Sequence, residues 1–169
     1  MIDRKYRWYA IYTRPKTEKK VHEELLLRKI ESYLPIQRSL KQWCDRKKWV
    51  ETPLIRSYVF VKISIREYYH IVKIDGIVRF VIFEGLPAPI PDVQIKALRI
   101  LLATDEELEV TGETFEPGEP VEVKSGPFAR LKGELVEYRG VKKVLVRIDH
   151  IGQSVLITIP IVRIKSIKR

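Results

Sequence analysis

A chain of 169 residues with 45% apolar residues can bury a core, as one domain or as two small ones. The formal net charge of +10 favours a polyanionic partner such as nucleic acid, and a single cysteine, Cys44, excludes an internal disulfide and fits a reducing compartment. No apolar stretch approaches the ~20 residues of a membrane span, and the N-terminal MIDRKYRWYAIY has no h-region of signal-peptide length, so a cytoplasmic protein without a membrane partner is expected.

The charge is unevenly placed. Residues 1–100 carry 21 Lys/Arg against 11 Asp/Glu, residues 101–120 carry none against 7, and residues 121–169 carry 11 against 4. Two basic modules joined by an acidic connector follow from that distribution.

Trp8 to Tyr12 reads as a first strand, with Trp8, Ala10 and Tyr12 on one face and Tyr9 and Ile11 on the other. Pro15 suits the first turn of a helix that runs on through Arg28 or Ile30. At about 100° per residue, Lys16, Lys19 and Lys20 share one side of it and Val21 and Leu25 point away. With Arg14 these lysines make a compact basic patch, fit either for phosphate or for an ordinary solvated helix face. Leu26, Leu27 and Ile30 spread apolar surface further round, which points to burial on two sides. Tyr33 to Ile36 is a short extended piece. Leu40–Trp43 and Lys48–Val50 then form the arms of a hairpin with Asp45, Arg46 and Lys47 at its tip. Arg46, Lys47 and Lys48 between Trp43 and Trp49 interleave cations and aromatics as nucleic acids favour. The same rings also suit plain cross-strand packing.

Residues 53–63 alternate like a central strand, Tyr58, Phe60 and Lys62 on one face and Val59, Val61 and Ile63 on the other. Ser64 and Glu67 form a capping-box pattern for a helix that Gly76 ends, with Tyr68, Ile71 and Val72 as its buried stripe. Ile77–Phe83 is a further strand, and three prolines within residues 85–91 predict a stiff loop. Asp92 caps a helix through Leu102 whose stripe is Val93, Ala97 and Leu101. This order indicates an α+β domain over residues 1–103, an antiparallel sheet flanked by helices. The acid-rich segment after it, placed at 104–116, has few apolar residues to bury and reads as a flexible linker.

The last domain, residues 117–169, opens with a distinctive stretch. Val121 and Val123 alternate with charged residues, Gly126-Pro127 forces a turn before Phe128, and Gly133 opens a second strand with Leu135, Val136 and Tyr138. Three more runs rich in β-branched residues, 144–146, 155–157 and 159–164, complete five short strands, enough for a small closed barrel.

Catalytic patterns are missing. The sequence has no Gly-rich phosphate loop, no HExxH pair and no Cys/His set with zinc spacing. His22, His70 and His150 are isolated, and the main acidic cluster sits in the linker, where no scaffold holds two carboxylates for acid–base work. A binding protein with no cofactor and no metal is expected, not an enzyme.

Val121-x-Val123-x-x-Gly126-Pro127-Phe128 followed by Gly133 resembles a KOW motif, the signature of SH3-like barrels in ribosomal proteins and elongation factors. Placed after a domain that contains Arg7-Trp8-Tyr9 and Tyr58-Val59-Phe60-Val61, it makes the whole chain similar to the NusG family of transcription elongation factors. Glu31 to Ile36 and the compact segment up to Tyr58 look closest to specialised paralogues of the RfaH and UpxY type, antiterminators of polysaccharide operons. The resemblance implies an NGN-like N-terminal domain that grips RNA polymerase through an apolar, aromatic groove around Tyr12, Tyr58, Phe60 and Phe83. It also implies a basic surface that reads non-template DNA, with Arg14, Lys16 and Lys20 in the matching stretch and Pro15 and Glu24 departing from it. The KOW domain would recruit a ribosomal protein or a termination factor, and the factor would act as a monomer. Before the Tyr58 strand the family usually shows aromatic-Pro-Gly. Here Ile55-Arg56-Ser57 stands, which questions both the local bend and the contact made at position 55. The C-terminal segment of RfaH can fold as helices, whereas the Val, Ile and Gly that dominate it here predict strands. A ribosome-associated KOW-type RNA-binding protein is the alternative reading.

Overall fold

Apolar residues on both faces of the N-terminal strand place it inside a sheet. A computed structural model describes residues 5–167, so Met1–Arg4 of the stretch judged to lack an h-region lie outside the described residues. Two compact units divide between Asp92 and Val93.

In the first unit, β1 (Arg7–Thr13) is followed by α1 (Glu18–Leu27), β2 (Glu31–Tyr33), β3 (Ile36–Gln42), β4 (Lys47–Pro53) and β5 (Tyr58–Ile63). A 3₁₀ turn at Ile65–Glu67, α2 (Tyr68–Ile71), β6 (Ile77–Phe80), β7 (Ile82–Phe83), β8 (Leu86–Pro87) and β9 (Pro89–Ile90) come next, and α3 (Asp92–Leu101) crosses into the second unit. The main sheet runs β2-β5-β1-β6, with β9 sharing an edge of β1 with β6, and every pairing is antiparallel. Its α1 face is the core. Tyr9, Ile11, Val59, Val61 and Ile63 of the sheet cluster with Val21 and Leu25 of α1, both of them fully buried. Burying each of those two helix side chains is worth about 1.5–3 kcal/mol.

Several expectations shift locally. Pro15 lies in a turn before α1, not within it, because Lys16 takes φ 64° and the helix starts only at Glu18. Leu26 and Leu27 are 50% and 79% exposed, so α1 is buried on one side only. The strand expected over Ile77–Phe83 breaks into β6 and β7. The proline loop contributes β8 and β9, which is possible because both are two-residue strands in which few amides need a partner. The capping box at Ser64 forms, with the Ser64 amide donating to the Glu67 carboxylate at 2.9 Å, but only a 3₁₀ turn and a four-residue helix follow it. On α3 the buried residues are Ile95, Ala97, Leu98 and Leu101, while Val93 is exposed.

The bend before β5 survives without glycine. Ser57 adopts φ 63°, and its amide donates to the Glu18 carboxylate at 2.8 Å. Glu18, only 5% exposed, thereby ties the first turn of α1 to the entry of β5.

The second unit holds one six-stranded antiparallel sheet. β10 (Glu109–Thr111), β11 (Glu119–Val123), β12 (Lys132–Tyr138), β13 (Val141–Ile148), β14 (Gln153–Ile157) and β15 (Ile164–Ser166) are ordered β10-β14-β13-β12-β11-β15. Gly126 and Gly133 are glycines for separate reasons. Gly126 takes φ 90° at the turn, and a Cβ on Gly133 would stand 2.6 Å from the carbonyl oxygen of Leu145 on the neighbouring strand. Phe128 is buried, and Val136, Tyr138, Leu145 and Leu156 form a core cluster on which Phe115 packs.

The acidic segment is not a free chain throughout. β10 pairs with β14, Tyr138 donates to Glu113 at 3.2 Å, and Arg147 donates to the carbonyls of Phe115 and Glu116 at 2.8 and 3.0 Å. Composition read as linker because so few side chains there are apolar; backbone pairing and one arginine hold it instead.

Candidate nucleic-acid and partner interface

Tyr12 and Tyr58 face each other across β1 and β5, directly in register. Their rings meet edge to face at 5.5 Å, and the Arg79 guanidinium lies 5.7 Å over the Tyr12 ring. Both tyrosines are half-buried. Burial is the main reason the Tyr58 hydroxyl is pushed above its ordinary pKa; Tyr12 adds to that and Arg79 opposes it. Phe83 sits apart from this pair on β7, 55% exposed, beside Ile82 and Leu86, which are 46% and 71% exposed.

Two members of the expected groove are not at the surface. Phe60 is fully buried and Ile55 is 2% exposed, so both are removed from direct contact with a partner. Alternation along β5 placed Phe60 on the same face as Tyr58 but could not say where that face closes over.

The expected DNA-binding residues separate into two groups. Arg14, Lys16 and Lys20 are exposed around the start of α1. Arg14 and Lys20 both reach the carboxylate of Asp75, Lys20 at 3.1 Å. Hydrogen bonds from Lys20 and then Arg14 hold the Asp75 carboxyl below the usual carboxylate range. Lys16 has no ionic partner among the described residues. Lys19 turns elsewhere and donates to the carbonyl of Glu51 on β4 at 3.3 Å.

The β3–β4 hairpin carries the second group. Arg46, Lys47 and Lys48 are exposed at its tip, where the Trp43 amide closes the turn on the Arg46 carbonyl at 2.8 Å. Lys41 stands directly opposite Lys48 in the register. None of these four cations forms an ion pair among the described residues. Like charges directly opposite one another destabilise a hairpin. Trp43 and Trp49 are 58% and 49% exposed, and the Arg38 guanidinium lies 5.2 Å over the Trp49 ring. Lys19, Arg38, Trp43, Lys48, Trp49, Val50 and Glu51 line one shallow groove of about 580 Å³. Lys41, Arg38 and Asp75 were not singled out from the sequence. The strand register marks Lys41, whereas Asp75 meets α1 only through the fold.

Of the residues from which the resemblance to a KOW motif was drawn, Val121, Val123 and Phe128 are interior, while Gly126 and Pro127 are exposed at the turn. Among the described residues no group of three or more His, Cys, Asp or Glu side chains could hold a metal ion.

The chain is 24% identical over 188 residues to the transcription termination/antitermination protein NusG of Borreliella burgdorferi, covering 95% of this chain and 98% of that protein. With the protein of the same name from Rickettsia typhi it shares 25% identity over 142 residues, 77% of this chain and 73% of that protein. The solved structure described as "Domain interaction in Thermotoga maritima NusG" superposes with a TM-score of 0.55 at 25% identity, covering 97% of this chain and 98% of that one. The family model described as transcription termination factor nusG matches residues 6–99, more than half of the chain, which therefore belongs to the NusG family.

Proposed function

We propose that this protein is a transcription elongation factor of the antitermination kind. It binds RNA polymerase through its first unit, contacts non-template DNA, and suppresses pausing or termination. The observation that carries this reading is the Tyr12–Tyr58 pair, two half-buried rings presented in register on a sheet whose other face is fully occupied by the core. Such a surface offers large apolar contact at low entropic cost, with hydroxyls left for hydrogen bonds. Exposed Phe83 extends the apolar surface available to a partner. The second unit is read as a KOW-type SH3-like barrel that recruits a further factor, a ribosomal protein or a termination factor, and its buried Val121, Val123 and Phe128 support that reading. The compact segment from Glu31 to Tyr58 favours an operon-specific role of the RfaH and UpxY type, at polysaccharide operons.

Capture from lysate tests the proposal, followed by transcription through a pause and a terminator with purified polymerase. Retention of polymerase subunits, lost in Tyr12→Ala/Tyr58→Ala, is the expected result. Retention of ribosomal subunits without polymerase would replace it with the RNA-binding reading.

A further inference from the structure

The sheet of the second unit is apolar on both faces. Side chains alternate along a strand, so Val144, Val146, Val155 and Ile157 share one face with Val121 and Val123, while Val136, Tyr138, Lys143, Leu145, Arg147 and Leu156 share the other. An antiparallel sheet commonly leaves one face to water. Here Leu145 and Leu156 on the second face are 0% and 1% exposed, and Phe115 of the acid-rich segment packs on their cluster.

Residues 109–116 run along the β14 edge and onto that face as an extended peptide lies on a receptor. β10 adds a three-residue antiparallel strand to β14, Glu109 accepts from Lys143 at 2.7 Å, and Glu113 accepts from the Tyr138 hydroxyl at 3.2 Å. Arg147 donates to the carbonyls of Phe115 and Glu116, contacts that hold an extended backbone whatever its side chains. Charge agrees. Residues 101–120 contain seven acids and no Lys or Arg, and the face they meet presents Arg147, with Arg139 and Lys143 over the Tyr138 ring at 4.8 and 5.4 Å. The hold is nonetheless light. Gly112, Glu113, Thr114 and Glu116 are exposed, which leaves Phe115 as the one apolar anchor after β10, and a segment with few buried apolar contacts opens at low free energy. Beside β10 a groove of about 600 Å³, walled in part by Glu106, Lys143, Leu156 and Thr158, stays unfilled.

We infer that residues 109–116 are an intramolecular ligand, seated in an outer-face site that takes an extended acidic segment with one aromatic anchor. A partner protein carrying such a segment takes the site by displacing them. A site closed by its own strap offers an outside ligand only its open fraction, and the apparent affinity falls by that fraction. The strap therefore sets a threshold on recruitment. That a partner uses the site rests on the proposed recruiting role of the second unit, whereas the self-occupancy rests on the contacts of residues 109–116.

The test adds to the full chain a fluorescently labelled peptide with the sequence of residues 107–117 and follows its anisotropy. Phe115→Ala in the chain loosens the strap and leaves the site in place, so the peptide is expected to bind it about fivefold or more tighter than wild type. Glu109→Gln/Glu113→Gln in the chain should act the same way. It alters only half-buried or exposed strap side chains and keeps the test valid if Phe115→Ala perturbs folding. The same peptide carrying Phe115→Ala should bind the loosened chains about tenfold more weakly than the native peptide. Equal peptide affinity for wild type and both variants overturns the inference, as does a peptide that binds neither variant or that loses nothing with its aromatic ring. The two readings fail separately. A chain whose peptide site behaves as expected but which retains no ribosomal protein or termination factor refutes only the recruiting role. One that retains such a factor while strap variants leave peptide affinity unchanged refutes only the strap.

Discussion

The start of α1 and the β3–β4 hairpin are both runs of Lys and Arg, yet the fold treats them differently. At α1, Asp75 from the turn after α2 takes up Arg14 and Lys20, and Lys19 is committed to a backbone carbonyl. At the hairpin, Lys41, Arg46, Lys47 and Lys48 form no ion pair among the described residues. A surface ion pair is worth little in stability, but it lowers the positive potential available to a phosphate. The lesson is that equal basic composition does not mean equal readiness for a polyanion: the hairpin offers its charge, while α1 has partly spent it on its own scaffold.

That contrast can be broken most decisively at the hairpin. Replacing Lys41, Arg46, Lys47 and Lys48 by Gln is expected to lower the slope of log affinity against log salt by roughly three units, at ~0.7–0.9 per phosphate contact. Titration of DNA binding at several salt concentrations reads this directly, and a slope within half a unit of wild type would move the DNA surface elsewhere.

The scaffold side of the comparison predicts a stability effect. Glu18→Ala leaves the Ser57 amide without its acceptor at a backbone conformation that L-residues rarely adopt. Denaturant unfolding should show a loss of about 1–3 kcal/mol. If stability is unchanged, α1 is not the strut that this hydrogen bond suggests.

Smaller effects sharpen the difference. Arg14→Gln, Lys16→Gln and Lys20→Gln together are expected to change the salt slope by only about one unit, since of the three only Lys16 has no ionic partner among the described residues. A drop as large as that of the hairpin variant would erase the contrast. Asp75→Asn goes the other way. By releasing Arg14 and Lys20 it should tighten DNA binding and steepen the slope, visible in the same titration. In the wild-type protein, Asp75 is held ionised by those partners, so both pairs persist down through the ordinary carboxylate value of 3.8 and the Asn effect is expected unchanged from pH 8 to 5.

The smallest effect concerns His22 on α1, whose Nδ1 lies 2.8 Å from the Ser32 hydroxyl. Burial lowers its pKa from 6.5, with Glu23 opposing. The unfolded chain therefore binds the proton more readily, and this contribution is present above pH 6.5 and lost as pH falls through the lowered folded value. Thermal melts of wild type and His22→Gln should converge as the pH drops below 6.5.

Much of the architecture was legible along the chain. The period-two apolar pattern of residues 8–12 and 58–63 identified two strands and their faces, Gly126 marked a turn and Gly133 the opening of a second strand. These are short-range signals, carried by neighbouring residues. Less legible was the acidic segment, where β10 forms through backbone pairing that composition does not record. Of the candidate site, the hairpin cations were read from pattern and Tyr12 and Tyr58 from the family resemblance, and all of them keep solvent-facing surface. The burial of Phe60 and Ile55 was not legible, because alternation tells which side a residue faces and not what covers that side.

The order of apolar and turn-forming residues by itself determined that this protein has an antiparallel α+β front half and a β-rich back half, since strand period, capping and glycine turns act within a few residues. Only the tertiary structure decided which charges stay available, because Asp75 lies 61 residues from Arg14 in sequence yet meets it in space. Coulomb attraction falls with distance through space, and separation along the chain does not enter it.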